Sequence, residues 1–438
     1  MLFHSNIFIL YFFPLTLLLL FISSKIKFDN KIILILASLF FYSWWNINYL
    51  PLIILSILIN FFLGKKIQKS QNNKKNFLFI SILFNIGLLF SFKYVDFFIS
   101  NYNFLTNSEV NKINLPFPLG ISFYTFQIIT YLVDCYYGKI TLHKFKNFAL
   151  FVVFFPQLIA GPIIKYNFLI DQLNIAKIFV LKINNILKGL VLFIIGFIKK
   201  VFFADQLSLI VDSGYLNYES LNFLESWLTS LAFTFQIYFD FSGYIDMATG
   251  SAILFNIRLP KNFDSPFKAT SLINFWHRWH ITLFKFLMNY IYFPWLRSLN
   301  KITYTKAMFV TFCVFIISGI WHGPTWGYVM FGILHGVGLI INHTFNKFNL
   351  FKLHFLFGWF LTMFWVNLTQ IFFRSKDLDT AIYISKSIFG LNGFDLNTDM
   401  FSDYLIMIST IVALIIVFCF KNTNYLIENY FKDADTKI

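Results

Sequence analysis

The sequence predicts an all-α polytopic membrane protein, with about 10–12 transmembrane or re-entrant helices arranged around a central chamber. Three observations predict it. Of 438 residues, 58% are hydrophobic and only 13% charged, whereas soluble domains carry about 25% charged residues. Mean hydropathy is +0.67, more apolar surface than water can solvate at this length. Apolar runs also recur along the whole chain, at Ile7–Phe21, Ile32–Trp44, Phe77–Phe92, Leu190–Ile198, Ala307–Asn346 and Tyr404–Phe420. With their flanks the longer runs reach the ~20 residues needed to cross a ~30 Å hydrocarbon core. They lack the short apolar–polar alternation of a membrane β-barrel.

The first run has no basic residue before it and no small-residue cleavage site after it, so it reads as a membrane helix rather than a signal peptide. The next stretch fits two short helices bent at Trp44–Pro51. The formal charge of +15 does not imply nucleic acid, because the lysines sit in short loops as the positive-inside rule expects. Lys25, Lys27 and Lys31 form one loop, and Lys65, Lys66, Lys69, Lys74 and Lys75 another. Both fit the cytoplasmic side, which places the N-terminus outside a multi-pass inner (cytoplasmic) membrane protein. Cys135, Cys313 and Cys419 lie far apart in apolar surroundings and read as core residues, not as a disulfide framework or zinc site. No Walker loop or Gly-x-Ser-x-Gly elbow is present, and Gly336-Val-Gly338 lacks the context of a dinucleotide site.

No linker or fixed-period repeat divides the chain. Residues 1–115 alternate span and loop. Over residues 116–381, Gly, Pro, His and Asp stand among aromatics, and residues 382–438 hold a last span and a charged tail. Non-helical backbone at membrane depth is tolerated only against protein or a water-filled cavity. The middle region is therefore expected to be broken or re-entrant around a chamber.

The sharpest feature is the run between Lys306 and Lys347, forty residues with no charged side chain except three potential histidines. Ser318-Gly-Ile-Trp-His-Gly-Pro-Thr-Trp326 breaks it into two helices. His322 sits in the break, and His335 falls about ten residues into the second helix, roughly 15 Å deep. A mid-membrane histidine is either polar glue between helices or functional. Gly332 and Gly336 would let a second backbone or a ligand come close to it. On one continuous helix His322 and His335 would be about 20 Å apart, so they can cooperate only if the Gly-Pro break folds the chain back. Burial favours neutral imidazole, the form that can accept a proton from a hydroxyl.

Asp240 and Asp246 flank Phe-Ser242-Gly-Tyr-Ile inside the apolar run Phe233–Ile257. Buried carboxylates must be paired or line water; Arg278 and Arg258 are candidate partners, orienting neighbouring helices. In Asn274-Phe-Trp-His-Arg-Trp-His280, a helix would put Trp276, Trp279 and His280 on one face. That face reads either as an interfacial belt or as donors, with Asn274 and Arg278, for the phosphates or amides of an acyl carrier. His277 and His280 lack a carboxylate at ligand spacing, so no metal is expected. Asp377 and Asp379 read as a helix start rather than a sugar-nucleotide motif.

Seven blocks in order resemble the bacterial branch of the membrane-bound O-acyltransferase family, which includes proteins of alginate O-acetylation, peptidoglycan O-acetylation and teichoic-acid D-alanylation. They are PLGISFYTFQIITYLVDCYYG (Pro118–Gly138), FFPQLIAGPI (Phe154–Ile163), IYFDFSGYIDMATG (Ile237–Gly250), RLPKNFDSPF (Arg258–Phe267), NFWHRWHITLFKFLMNYIYFPW (Asn274–Trp295), WHGPTWGYVMFGILHG (Trp321–Gly336) and FFRS (Phe372–Ser375). The resemblance covers roughly Trp44 to Ala381. Two departures are His277, where that branch usually has arginine, and Trp295-Leu-Arg297 in place of a Gly-Gly pair.

The resemblance implies a ring of helices around a thin partition, with His335 as the essential histidine and His322 as its companion. It implies an O-acyltransferase, and its wording is nearer the alginate branch, which implies acetyl-CoA or another acyl thioester as a donor entering from the cytoplasm. No tightly bound cofactor is expected. The acceptor would be a hydroxyl of an extracytoplasmic polysaccharide, reached directly or through a serine of an extracytoplasmic esterase-like (SGNH-type) partner. His335 would act as general base, while His322 or a nearby amide positions the donor or stabilises the oxyanion. Two other classes compete: a flippase for polysaccharide precursors, which would favour repeated halves, and a lipid-linked glycosyltransferase, which would want acidic residues in an early loop. No internal repeat is found, and the early loops are basic or neutral, with Asp29 and Asp96 the only aspartates before Asp134.

Overall fold

The computed structural model describes residues 1–140, 144–175, 179–180, 182–349, 354–395 and 404–430. Among these residues the secondary structure is helical throughout, with no strand. Among the described residues, six helices are long and apolar enough to cross a membrane. The chain is a multi-pass all-α membrane protein, and it divides into two compact units.

The first unit comprises Met1–Ile194 with Tyr244–Pro260. It opens with a π-helical turn, Phe8–Phe12, that runs on into α1, Phe13–Lys25. Helix α2, Asn30–Ser43, is followed by a 3-10 turn at Ile47–Tyr49 and by α3, Leu50–Lys69. The bend expected at Trp44–Pro51 is therefore present. Pro51 stands in the first turn of α3, where its missing N–H is harmless. Helix α4, Lys74–Lys93, follows, and α5 is Ile121–Tyr136.

Asp29 starts α2 by accepting the Lys31 N–H and pairs with Lys146. Burial alone would raise its carboxyl, but the bonds from Lys146 and Lys31 and their charges outweigh that and hold it below its ordinary value. Lys31 Nζ in turn donates to Asn147 Oδ1 at 3.0 Å and Asn174 Oδ1 at 2.7 Å, so one loop is tied to two distant segments. Phe8 sits in a cluster of aromatic rings. Its ring lies 4.9 Å from Phe3, 5.4 Å from Phe13 and 6.1 Å from Phe155, mostly edge-on, the geometry ring quadrupoles prefer.

Polar residues of the spans are buried beside an apolar core, while many large apolar residues stay exposed. Asn60 of α3 and Asn85 of α4 are fully buried and exchange amide bonds, Asn60 Nδ2 to Asn85 Oδ1 at 3.2 Å and Asn85 Nδ2 to Asn60 Oδ1 at 2.6 Å. Phe62 and Phe79 on the same helices are 59% and 66% exposed, as lipid-facing residues should be. Cys135 is buried, whereas Cys419 is exposed, so the expectation of three core cysteines is corrected at Cys419. That residue ends an outer, strongly apolar helix, where a thiol can face lipid.

The second unit comprises Ile195–Gly243 with Lys261–Tyr430. The long helix α6, Phe223–Leu254, gives its first part to this unit. Then comes a run of short pieces: α7, Leu272–Trp276, a helix at Ile281–Phe286, a π-helical turn at Leu287–Tyr292 and another helix at Phe293–Arg297. The broken middle expected from the sequence is present here. Three membrane-length helices follow: α8, Tyr304–His322; α9, Trp326–Phe348; and α10, Phe355–Arg374. Asp377 caps α11, Leu378–Ile388, by accepting the Thr380 N–H at 2.8 Å, the helix start the sequence indicated.

The Asn60–Asn85 pair should behave as interhelical glue. Replacing either residue with Ala is expected to lower stability by about 1 kcal/mol, with a coupling of about 0.6 kcal/mol in a double-mutant cycle. Unfolding of the solubilised protein measures it.

Candidate active site

Helices α8 and α9 form an antiparallel hairpin. The turn is Gly323-Pro-Thr325, with Gly323 extended and Thr325 in the N-cap position of α9. Their backbones meet through glycine. A Cβ on Gly319 would lie 2.3 Å from the Tyr328 carbonyl oxygen, and one on Gly332 would lie 2.5 Å from that of Phe315. Real side chains do not fit at those distances, so this approach requires glycine. The neighbour that Gly332 and Gly336 admit is thus a second backbone segment rather than a ligand.

The fold-back changes the relation of the two histidines. The Phe331 ring lies 5.8 Å from the His322 ring and 4.5 Å from that of His335. One phenyl ring separates them, in place of the ~20 Å of a straight helix. His322 is partly exposed among Trp321, Tyr328, Phe331 and Phe373. His335 is fully buried and is the tenth residue of α9.

Both ring nitrogens of His335 are engaged. The Trp276 indole Nε1–H donates to Nδ1 at 3.2 Å, and the two rings meet edge to face with centroids 5.1 Å apart. On the other side Nε2 lies 3.0 Å from Thr369 Oγ1, and that hydroxyl donates to the Val366 carbonyl at 2.7 Å. Trp276 ends α7, whose start is fixed by Ser271 accepting the Asn274 N–H. Thr369 comes from an inward polar stripe on α10 with Thr362, Asn367 and Gln370, all buried. Asn367 accepts from Thr234 Oγ1 at 2.9 Å and donates to Ser230 Oγ at 3.0 Å, which ties α10 to α6. The sequence reading missed Thr369, although Thr362, Asn367, Thr369 and Gln370 in an otherwise apolar helix were its available signal.

The segment 274–280 does not form one helix. Helix α7 stops at Trp276, and His280 takes a left-handed backbone conformation with φ +43° before the next helix begins. The expected common face of Trp276, Trp279 and His280 is corrected accordingly. The cause is a tether at Asn262. Its Oδ1 accepts the Thr282 N–H at 3.0 Å and the Thr282 hydroxyl at 2.9 Å, and lies 3.2 Å from His280 Nδ1. Trp279 stacks on Phe275 with ring centroids 5.6 Å apart. Arg278 donates from Nε to Asn274 Oδ1 at 2.9 Å and from Nη1 to the Asp264 carbonyl at 3.1 Å. Asn274 Oδ1, Trp276 Nε1, Arg278 Nε and Nη1 and His280 Nδ1 are thus engaged within the protein.

Asp240 is half-exposed and pairs with Lys200 at 2.7 Å, so the expectation of a buried carboxylate reaching Arg278 is corrected. Lys200 also holds Asp205 at 2.9 Å, and Arg278 is occupied by its own loop. Asp246 is buried in the first unit. Ser242 is buried, and its hydroxyl finds no hydrogen-bond partner among the described residues.

A cavity of about 590 Å³ is lined by Trp276 but not by His335 itself. Trp276 and Phe315 form its inner wall, and His277, Lys285, Asn289 and His343 give it polar groups. The Trp276 indole touches both the cavity and His335. Among the described residues, no three His, Cys, Asp or Glu side chains converge on a common point.

Comparison with known proteins sets this geometry in a family. The model of the membrane-bound O-acyltransferase family matches residues 39–373. A peptidoglycan O-acetyltransferase of Helicobacter pylori is 38% identical over 482 aligned positions, covering 98% of this chain and 91% of that protein. A probable alginate O-acetylase of Pseudomonas aeruginosa is 31% identical, covering 91% of this chain and 76% of its own. A teichoic acid D-alanyltransferase of Bacillus subtilis is 28% identical over 54% of this chain.

The glycine contact that folds the hairpin is testable. Gly332→Ala should destabilise the protein by about 1–3 kcal/mol through overpacking and lower its activity. Gly87→Ala, where a Cβ meets nothing within 4 Å, should be neutral or slightly stabilising. Thermal inactivation in detergent compares the two.

Proposed function

This chain belongs to the membrane-bound O-acyltransferase family and is an O-acyltransferase, and we propose that it moves acetyl groups across the cytoplasmic membrane onto cell-wall glycan. The donor is a cytoplasmic thioester, acetyl-CoA. The acceptor is a hydroxyl of extracytoplasmic peptidoglycan, reached directly or through the serine of an esterase-like partner outside the membrane. Support for this acceptor comes from the H. pylori relative, whose name carries peptidoglycan and which covers 98% of the chain. The lysine-rich early loops support an N-terminus on the outer side.

The observation that carries the reading is His335, a fully buried imidazole in the middle of a membrane-length helix, with a side chain held at each nitrogen. Polar groups at that depth are expensive and mark function. In the proposed reaction the imidazole takes the proton of the attacking hydroxyl as the oxygen adds to the thioester carbonyl. The carbon–sulfur bond then breaks, and the leaving thiolate recovers the proton, giving an acetyl ester and free CoA thiol. His322, one phenyl ring away, positions the donor.

General-base catalysis contributes about 10²–10⁴-fold. His335→Gln and His335→Ala should therefore lower transfer of labelled acetyl groups in membranes by at least about a hundredfold, at equal protein accumulation. Activity retained in both variants overturns the role. Consumption of labelled acetyl-CoA distinguishes the enzyme from a flippase or a lipid-linked glycosyltransferase, neither of which uses it.

A further inference from the structure

We propose that Trp276 is a positioning residue that fixes His335 in its Nε2–H tautomer, making Nδ1 the base nitrogen and the Trp276 cavity the route by which the hydroxyl reaches it. The protonation pattern follows from counting donors. An indole N–H can only donate, so Nδ1, 3.2 Å from Trp276 Nε1, must present its lone pair. Thr369 has one hydroxyl proton, and at 2.7 Å it goes to the Val366 carbonyl. The remaining contact, 3.0 Å between Thr369 Oγ1 and Nε2, is then a bond donated by Nε2–H. Every donor in the chain points the same way, from Trp276 through the imidazole and Thr369 to the α10 backbone. Such a chain is mutually reinforcing.

The other tautomer would set two N–H groups face to face at Trp276, and it would leave Nε2 as a lone pair opposite a hydroxyl whose proton is already placed. A second proton on the ring has only Nδ1 to occupy, and it must displace the indole. Trp276 thereby holds the imidazole in the unprotonated form a base requires. It also decides direction. The side of the ring facing Thr369 is closed by α10, whereas the indole facing Nδ1 is itself a wall of the 590 Å³ cavity. A hydroxyl that comes through the cavity takes the indole's place at Nδ1, gives up its proton there and attacks the thioester carbonyl. The carbon–sulfur bond breaks, and the thiolate takes the proton back from Nδ1. Throughout, Nε2–H stays bonded to Thr369 and orients the ring.

The tautomer stands on geometry alone; the proton path rests on the acyl-transfer reading above. Two measurements separate them. Solid-state NMR of the full chain in membranes, labelled with ¹⁵N-histidine and compared with His335→Gln for assignment, reads the state of both nitrogens without any turnover. The expected result is an unprotonated Nδ1 and a protonated Nε2; a protonated Nδ1 overturns the proposal. Trp276→Phe keeps a ring but removes the donor. Its acetyl transfer should fall, and the acid limb of its pH profile should move to higher pH by about 0.5–1 unit, the size that one neutral hydrogen bond allows. A purely structural role predicts lower activity with an unmoved profile, and that outcome overturns the proposal as well. If Trp276→Phe does not accumulate, the wild-type spectrum alone decides. If His335→Gln retains activity, the proton path falls together with the functional reading, while the spectrum still decides the tautomer.

Discussion

Helices α8 and α9 press backbone against backbone through Gly319 and Gly332, and the candidate site depends on that contact. Lipid tails are as apolar as leucine side chains, so burial of apolar surface does little to drive two membrane helices together. Close packing and internal polar bonds must do it. Glycine permits the first by removing the Cβ that would strike the Phe315 or Tyr328 carbonyl oxygen. Once the hairpin closes, His322 and His335 flank one phenyl ring, and α9 presents His335 toward α7 and α10. A wider hairpin would carry His335 away from Trp276 and Thr369.

The same solvent explains why the polar residues are where they are. An amide or hydroxyl facing hydrocarbon has no water to fall back on, so these groups are turned inward and paired: Asn60 with Asn85, Asn367 with Ser230 and Thr234, His335 with Trp276 and Thr369. The first two pairs hold helices together. The third differs because its central group can change protonation state. The loop from Asn262 to Thr282 follows the same rule, with one Asn oxygen serving a backbone N–H, a hydroxyl and an imidazole. Its result is an abrupt end to α7, and that end sets the position of Trp276.

Seen this way, the two histidines of the block 277–280 have separate fates. His280 is folded into the tether at Asn262, while His277 borders the cavity with Lys285, Asn289 and His343. The left-handed backbone at His280 separates the helix that ends at Trp276 from the one that begins at Ile281.

The membrane class, the helical fold and the place of His335 in mid-helix were legible in the sequence, because each rests on local properties: apolar run length, charge placement and 1.5 Å of rise per residue. The break at Gly323-Pro324 was legible too, as was the cap at Asp377, since turns and caps are written in neighbouring residues. Tertiary structure alone decided the partners. Asp240 pairs with Lys200 rather than an arginine, Arg278 staples its own loop, and Trp276 and Thr369 reach His335 from 59 and 34 residues away. Residue types limit which bonds are possible, but a hydrogen bond depends on separations of a fraction of an ångström. Those separations arise only when glycine-lined helices have packed.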